Sequence, residues 1–182
     1  MSTRTAIFQE QKDGTYLGIY IHQDGDIQGV GKLLETHYKD RNKVAELINN
    51  KLALSFLGVE NTILTDRAPF GTLKAKKGKW HKYCRVRTGS KNEYSDEYYI
   101  AQSKEEIISG KYLTYNSKDE IQGFTPKSGN NPEFIPFRGS DNNGFYYIQD
   151  LNGTWLESHA KSVSKYGGRT MTPFQPIQRL AS

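Results

Sequence analysis

Two short turns, Lys12-Asp13-Gly14 and Leu151-Asn152-Gly153, constrain the fold of this chain more than any other feature. Each stands between runs of β-type residues, and Asp-Gly or Asn-Gly in that position is a strong local signal for a hairpin. The first turn predicts strands over 3–10 and 15–22, with Leu17, Ile19 and Ile21 on one face and Tyr16, Tyr20 and His22 on the other. The second predicts strands over 145–150 and 154–158.

Between the hairpins the periodicity changes. The cluster Gln23-Asp24-Gly25-Asp26 ends the first one, and Val30, Leu33, Leu34, His37 and Tyr38 then recur at helical spacing. A second helix is expected from Asp40 as N-cap, with Val44, Leu47 and Ile48 as its apolar stripe and Asn49-Asn50 as its stop. From Trp80 to Arg87 the chain alternates, placing Trp80, Cys84 and Val86 inward and His81, Tyr83, Arg85 and Arg87 on the opposite face. Glu97 to Ala101 reads as a strand, and Ser103-Lys104-Glu105-Glu106 as a capping box for a helical turn ended by Gly110. Lys111 to Tyr115 is expected to be extended, and 122–143, with three prolines and several Gly and Asn, to be a long irregular loop.

The expectation is therefore a single α+β domain over 1–182, an antiparallel sheet built from hairpins with two short helices of the N-terminal half packed on it. Its parts are a ββαα unit over 3–50, a β-rich remainder over 60–160 and an irregular tail over 161–182. A chain of 182 residues buries a core without covalent staples. Apolar residues make up only 35%, but 12 Tyr and 8 Phe supply the large surfaces that disordered chains lack. The single cysteine, Cys84, excludes an intramolecular disulfide, and with no long apolar run or leader the expected setting is the cytoplasm, away from membranes.

Charge is concentrated. Residues 61–92 carry nine Lys/Arg against one Asp/Glu, whereas 1–60 carry seven against eight and 93–182 nine against eleven. In the basic segment Lys74, Lys76, Lys77, Lys79, Lys82, Arg85, Arg87 and Lys91 interleave with Trp80, His81 and Tyr83. Such a strip attracts phosphates or acidic protein surfaces, and it also suits a plain solvated hairpin. Arg pairs bidentately with phosphate and rings stack on bases, which serves a free nucleotide and a single-stranded nucleic acid alike.

Other chemistry is poorly supported. Gly29-Val30-Gly31-Lys32 opens a helix as phosphate-binding turns do, but lacks the Lys-Ser/Thr ending of a P-loop and the third glycine of a dinucleotide fingerprint, and reads as a helix entry. His22, Asp24 and Asp26 lie on one turn without a second cluster to complete a metal site. Cys84 falls on an inward strand face, and Ser2, a conceivable N-terminal nucleophile, has no identifiable base or oxyanion donor. No catalytic residue, metal ligand or cofactor is assigned, and binding is expected rather than catalysis.

The N-terminal third resembles a family of short phage and prophage accessory proteins. The shared pattern is Met1-Ser2-Thr3-Arg4, Asp13-Gly14, Ile19-Tyr20, His22, Asp24-Gly25, Val30-Gly31-Lys32, Leu34, His37-Tyr38, Lys43-Val44 and Leu47-Ile48. Where many members place an aromatic between the His and the Asp, this chain has Gln23. The resemblance implies a phage origin and expression in a bacterial host cytoplasm, and no particular reaction. Together with the basic-aromatic segment it leads to the expectation of a counter-defence protein that sequesters a phosphorylated nucleotide or NAD-derived immune signal, as one chain or a small homo-oligomer. The expected ligand-binding residues are His81, Tyr83, Arg85 and Arg87, with Arg4, Tyr20 and His22 as a second group. Direct inhibition of a host defence protein and single-stranded nucleic-acid binding are the alternatives.

Overall fold

The structure is a computed structural model, and it describes residues 3–65, 80–87, 98–126, 133–139, 143–163 and 169–177. Both marked turns form. Strands β1 (Thr5–Glu10) and β2 (Tyr16–Ile21) pair antiparallel around a turn in which Gly14 takes φ +89°, and β10 (Phe145–Gln149) and β11 (Trp155–Val163) do so around Gly153 at φ +87°. Positive φ at these two positions is what the Gly residues are for.

The intervening elements are α1 (Lys32–His37), α2 (Arg41–Asn49), β3 (Leu54–Phe56), β4 (Glu60–Leu64), β5 (Tyr83–Val86), β6 (Tyr98–Ala101), α3 (Lys104–Ile108), β7 (Leu113–Tyr115), β8 (Gly123–Phe124) and β9 (Ile135–Pro136). Beyond the second hairpin come β12 (Arg169–Met171) and β13 (Gln175–Pro176). Asp40 caps α2, its side chain accepting from the Asn42 amide at 2.9 Å, and Ser103 caps α3 by accepting from the Glu106 amide at 3.1 Å. A single π-helical turn, Ile27–Gly31, leads into α1 where the glycine-rich stretch suggested an ordinary helix entry. Gly29 explains part of this geometry, because a Cβ there would press on the Asp24 carbonyl.

The main sheet runs β12-β11-β10-β1-β2-β3-β5-β4, with β6 and β7 branching from β2. It is mixed, which corrects the expectation of an antiparallel sheet: β1 pairs with β10 in parallel, as do β2 with β3 and β4 with β5. Turn chemistry dictates pairing within each hairpin but not how two hairpin edges join. Here β1 of one hairpin lies against β10 of the other and becomes a central strand, which is why its two faces are both buried and its sequence TAIFQ does not alternate.

Each face of the sheet therefore has its own core. Ile7, Ile19, Ile21, Leu54, Cys84 and Tyr147 meet α1 and α2 through Leu33, Leu34, Tyr38, Val44 and Leu47. Ala6, Phe8, Tyr16, Tyr99, Tyr112, Tyr146 and Ile148 pack with Ile107 of α3 on the other. Both cores draw on the aromatic residues, Phe8, Tyr16, Tyr99, Tyr112 and Tyr146 on this face and Tyr38, Tyr98, Tyr147 and Trp155 on the other. Two further expectations are corrected. The region over 122–143 contains the β8–β9 ribbon, bridged to β7 through Leu113 with Arg138 and Tyr115 with Ile121. The tail is not irregular throughout, because β12 and β13 both add to β11, with Pro176 on an edge strand where its missing N–H costs nothing.

Candidate functional site

Four of the seven sequence-selected residues come together on the second face, at one end of β1 and β2. The β1–β2 register pairs Thr5 with Ile21 and Ala6 with Tyr20, so its continuation sets Arg4 opposite His22. Strand alternation turns Tyr20 and His22 away from the helices that cover Ile19 and Ile21. Beyond β2, the His22 amide donates to the Leu54 carbonyl at 3.0 Å, and on the far side of β3 the Arg87 amide donates to the Ala53 carbonyl at 2.8 Å. Arg87 is thus two strands from Tyr20, with only the small side chain of Ala53 between them.

The arginine spans that gap. Its guanidinium carbon lies 5.3 Å from the centre of the Tyr20 ring, and Nη1 donates to the Tyr20 hydroxyl at 3.3 Å and to Nδ1 of His22. The Tyr20 hydroxyl is also 2.9 Å from the same Nδ1. A nitrogen facing a guanidinium must carry the lone pair, which places the imidazole proton on Nε2. Burial holds the His22 pKa below the ordinary histidine value, and the charges of Arg87 and Arg4 push it the same way. The imidazole is accordingly neutral near pH 7, with an Nε2–H donor that makes no hydrogen bond within the described residues.

Two positive charges flank this neutral ring. Among the described residues, neither Arg4 nor Arg87 has a carboxylate within ion-pair distance. The Arg4 side chain makes no hydrogen bond there either, and it is only partly buried. Among the described residues, what remains unengaged in the cluster is a set of donors: the Arg4 fork, the outer N–H groups of Arg87 and Nε2–H of His22. A site made of donors and positive charge suits an anion, and a planar guanidinium matches the oxygens of a phosphate or carboxylate.

The other three residues are placed elsewhere. Arg85 sits on the same strand face as Arg87 but is 7% exposed, so the expectation of a solvent-facing basic strip along β5 is corrected. It is buried even though β5, between β3 and β4, lies next to the edge of the sheet. His81 stacks on Phe56 with ring centres 3.9 Å apart, and Tyr83 has Lys82 Nζ 5.3 Å from its ring centre. Trp80, expected inward, is 37% exposed because it precedes the paired part of the strand. Tyr83 and Arg87 are four residues apart on an extended chain, a span of about 13 Å. Lys74, Lys76, Lys77, Lys79 and Lys91 lie outside the described residues, as does Ser2.

Two polar groupings were not foreseen. Asn143, 1% exposed, donates to the Tyr112 hydroxyl at 3.3 Å, which is 3.1 Å from the Tyr146 hydroxyl. Buried Glu157 accepts from Gln175 Nε2 at 2.9 Å and meets His159 Nδ1 at 2.9 Å. The first depends on pairing across sequence distances that no local pattern reports, and the second adds Gln175 of β13 to a Glu157–His159 pair two residues apart on β11. Cys84 is fully buried, receives the Gly58 amide at 3.2 Å, and has its pKa raised by that burial, which removes it as a nucleophile. Among the described residues no three His, Cys, Asp or Glu side chains are grouped to hold a metal ion, and no helix is long and apolar enough to cross a membrane. Comparison with protein-family models, curated proteins and solved structures finds no match to the chain.

Proposed function

We propose that the protein binds a phosphorylated, nucleotide-type small molecule at Arg4, Tyr20, His22 and Arg87, and acts by holding it. The observation that carries this reading is the Arg87 guanidinium set against Tyr20 and His22, with Arg4 opposite His22 by the strand register and neither arginine paired with a carboxylate among the described residues. Bringing two such cations together is unfavourable in the absence of an anion, and a bound phosphate converts that repulsion into attraction. The half-buried Tyr20 ring adds an aromatic surface beside the anion site. The resemblance of the N-terminal third to phage accessory proteins supplies the setting, sequestration of a phosphorylated nucleotide or NAD-derived signal inside a bacterial host.

Calorimetry with adenosine 5′-monophosphate, cyclic dinucleotides, ADP-ribose and cyclic ADP-ribose tests the reading, followed by denaturation of the complex and identification of what is released. Recovery of intact ligand is expected. A cleaved product formed with turnover means the protein is an enzyme, and silence across the panel removes the small-molecule reading. A second reading, direct contact with a host protein, is favoured by Phe124, Phe134, Ile135 and Phe137 on the β8–β9 ribbon, each 44% to 51% exposed. Large apolar groups gathered on a surface mark a contact site more often than scattered ones do. Pull-down from host extract that fails with Phe124→Ser and Phe137→Ser would move the assignment there.

A further inference from the structure

We infer that the site selects a terminal phosphate monoester over an internal phosphodiester, an inference that rests on the reading of this cluster as an anion site. The charge arithmetic is the basis. A monoester carries close to two negative charges near pH 7, whereas a diester carries one. Arg87 reaches His22 from the end of β5, and the β1–β2 register, continued by one residue, sets Arg4 opposite His22 on the same sheet face, so a group bound beside the imidazole lies within reach of both arginines. A dianion compensates the two charges together. A monoanion leaves one guanidinium unpaired in a partly buried site, where that charge is poorly screened.

The hydrogen-bond inventory agrees. Tyr20 and Arg87 Nη1 saturate Nδ1 of His22, which leaves no acceptor on the imidazole for a protonated phosphate oxygen. Among the described residues, the groups of the cluster without a hydrogen bond are all donors: the Arg4 fork opposite His22, Nε2–H of His22, and the rest of the Arg87 fork, which crosses β3. Three donor groups on one sheet face match in number the three equivalent terminal oxygens of a monoester, whereas a diester offers two unsubstituted oxygens. The Arg4 side chain, free of hydrogen bonds among the described residues, is the element that separates the two cases, since Arg87 is already tied to β2.

The experiment compares adenosine 5′-monophosphate with its O-methyl phosphodiester, which differ by one methyl group and one charge, by calorimetry at pH 7.5 on wild type and on Arg4→Met. Wild type is expected to bind the monoester at least about tenfold more tightly than the diester, the effect of roughly one unpaired charge in a screened site. Arg4→Met is expected to remove most of that difference by weakening the monoester alone. Equal affinities in wild type overturn the monoester inference and leave the anion site standing. So does binding of a cyclic dinucleotide, whose phosphates are all diesters, by a protein that ignores the monophosphate. Silence toward both adenosine compounds and toward the whole nucleotide panel overturns the inference and the reading beneath it.

Discussion

The guanidinium of Arg87 lies against the ring of Tyr20, 5.3 Å from its centre, having crossed β3 to reach it. Tyr20 thus orients Arg87 through its ring and its hydroxyl, and relays that hydrogen bond to His22. Tyr20→Leu removes the platform and the hydroxyl together. It is expected to weaken anion binding about tenfold in calorimetry, while urea unfolding shifts by only about 1 kcal/mol, the size of a partly exposed cation–π contact. A loss of several kcal/mol would make Tyr20 a structural residue first.

His22 makes stability depend on pH. Its pKa in the folded protein is held below the ordinary histidine value by burial and by two neighbouring arginines. Between that lowered value and the unfolded one the unfolded chain binds more protons, so stability rises with pH across the window. The contribution is present above the unfolded pKa, about 6.5, and is lost as pH falls through the folded pKa. Urea midpoints of wild type and His22→Gln should therefore converge on acidification from neutral pH. Parallel curves would show that His22 titrates normally.

Gln149 holds the two hairpins to the helical layer. Its fully buried amide donates to the carbonyls of Tyr38 at 3.2 Å and Lys39 at 3.1 Å and accepts from Gln9 at 3.0 Å, while Trp155 Nε1 donates to the Tyr38 carbonyl at 2.8 Å. Gln149→Leu leaves buried acceptors and a donor with fewer partners, and is expected to cost about 2–3 kcal/mol in equilibrium unfolding. An effect below about 0.5 kcal/mol, the scale of a neutral surface substitution, would show that water or a small shift replaces the amide.

Gly18 is required by close packing. A Cβ there would lie 2.5 Å from the Phe8 ring and 2.6 Å from the Ile7 carbonyl. Gly18→Ala should destabilise the protein by about 1–3 kcal/mol, because neither backbone nor a core ring yields cheaply. Thermal unfolding measures it, and an unchanged transition would contradict this packing.

Legibility in the sequence followed the range of the interactions. The hairpins, the Asp40 and Ser103 caps and the α2 stripe are local, and each was readable from adjacent residues. The parallel joining of β1 to β10 brings residue 5 beside residue 145, and nothing within either hairpin encodes it. The same limit divided the candidate site. Sequence proximity grouped Arg87 with His81, Tyr83 and Arg85, whereas the β2–β3–β5 pairing carries it to Tyr20 and His22. Alternation placed Arg85 on the right face but could not report that the face is covered there. Ala53, whose small size lets Arg87 across, carried no signal of its own.

The central claim, that Arg4, His22 and Arg87 form an anion site, is tested most directly at the His22 ring. Nitrogen-15 NMR of histidine-labelled protein reads tautomer and ligation at each imidazole nitrogen. The free protein is predicted to show His22 neutral at pH 7.5 with the proton on Nε2, and adenosine 5′-monophosphate to shift the His22 Nε2 resonance in a saturable way that Arg4→Met and Arg87→Met abolish. A His22 signal unmoved by saturating nucleotide, or the proton found on Nδ1 in the free protein, would contradict it.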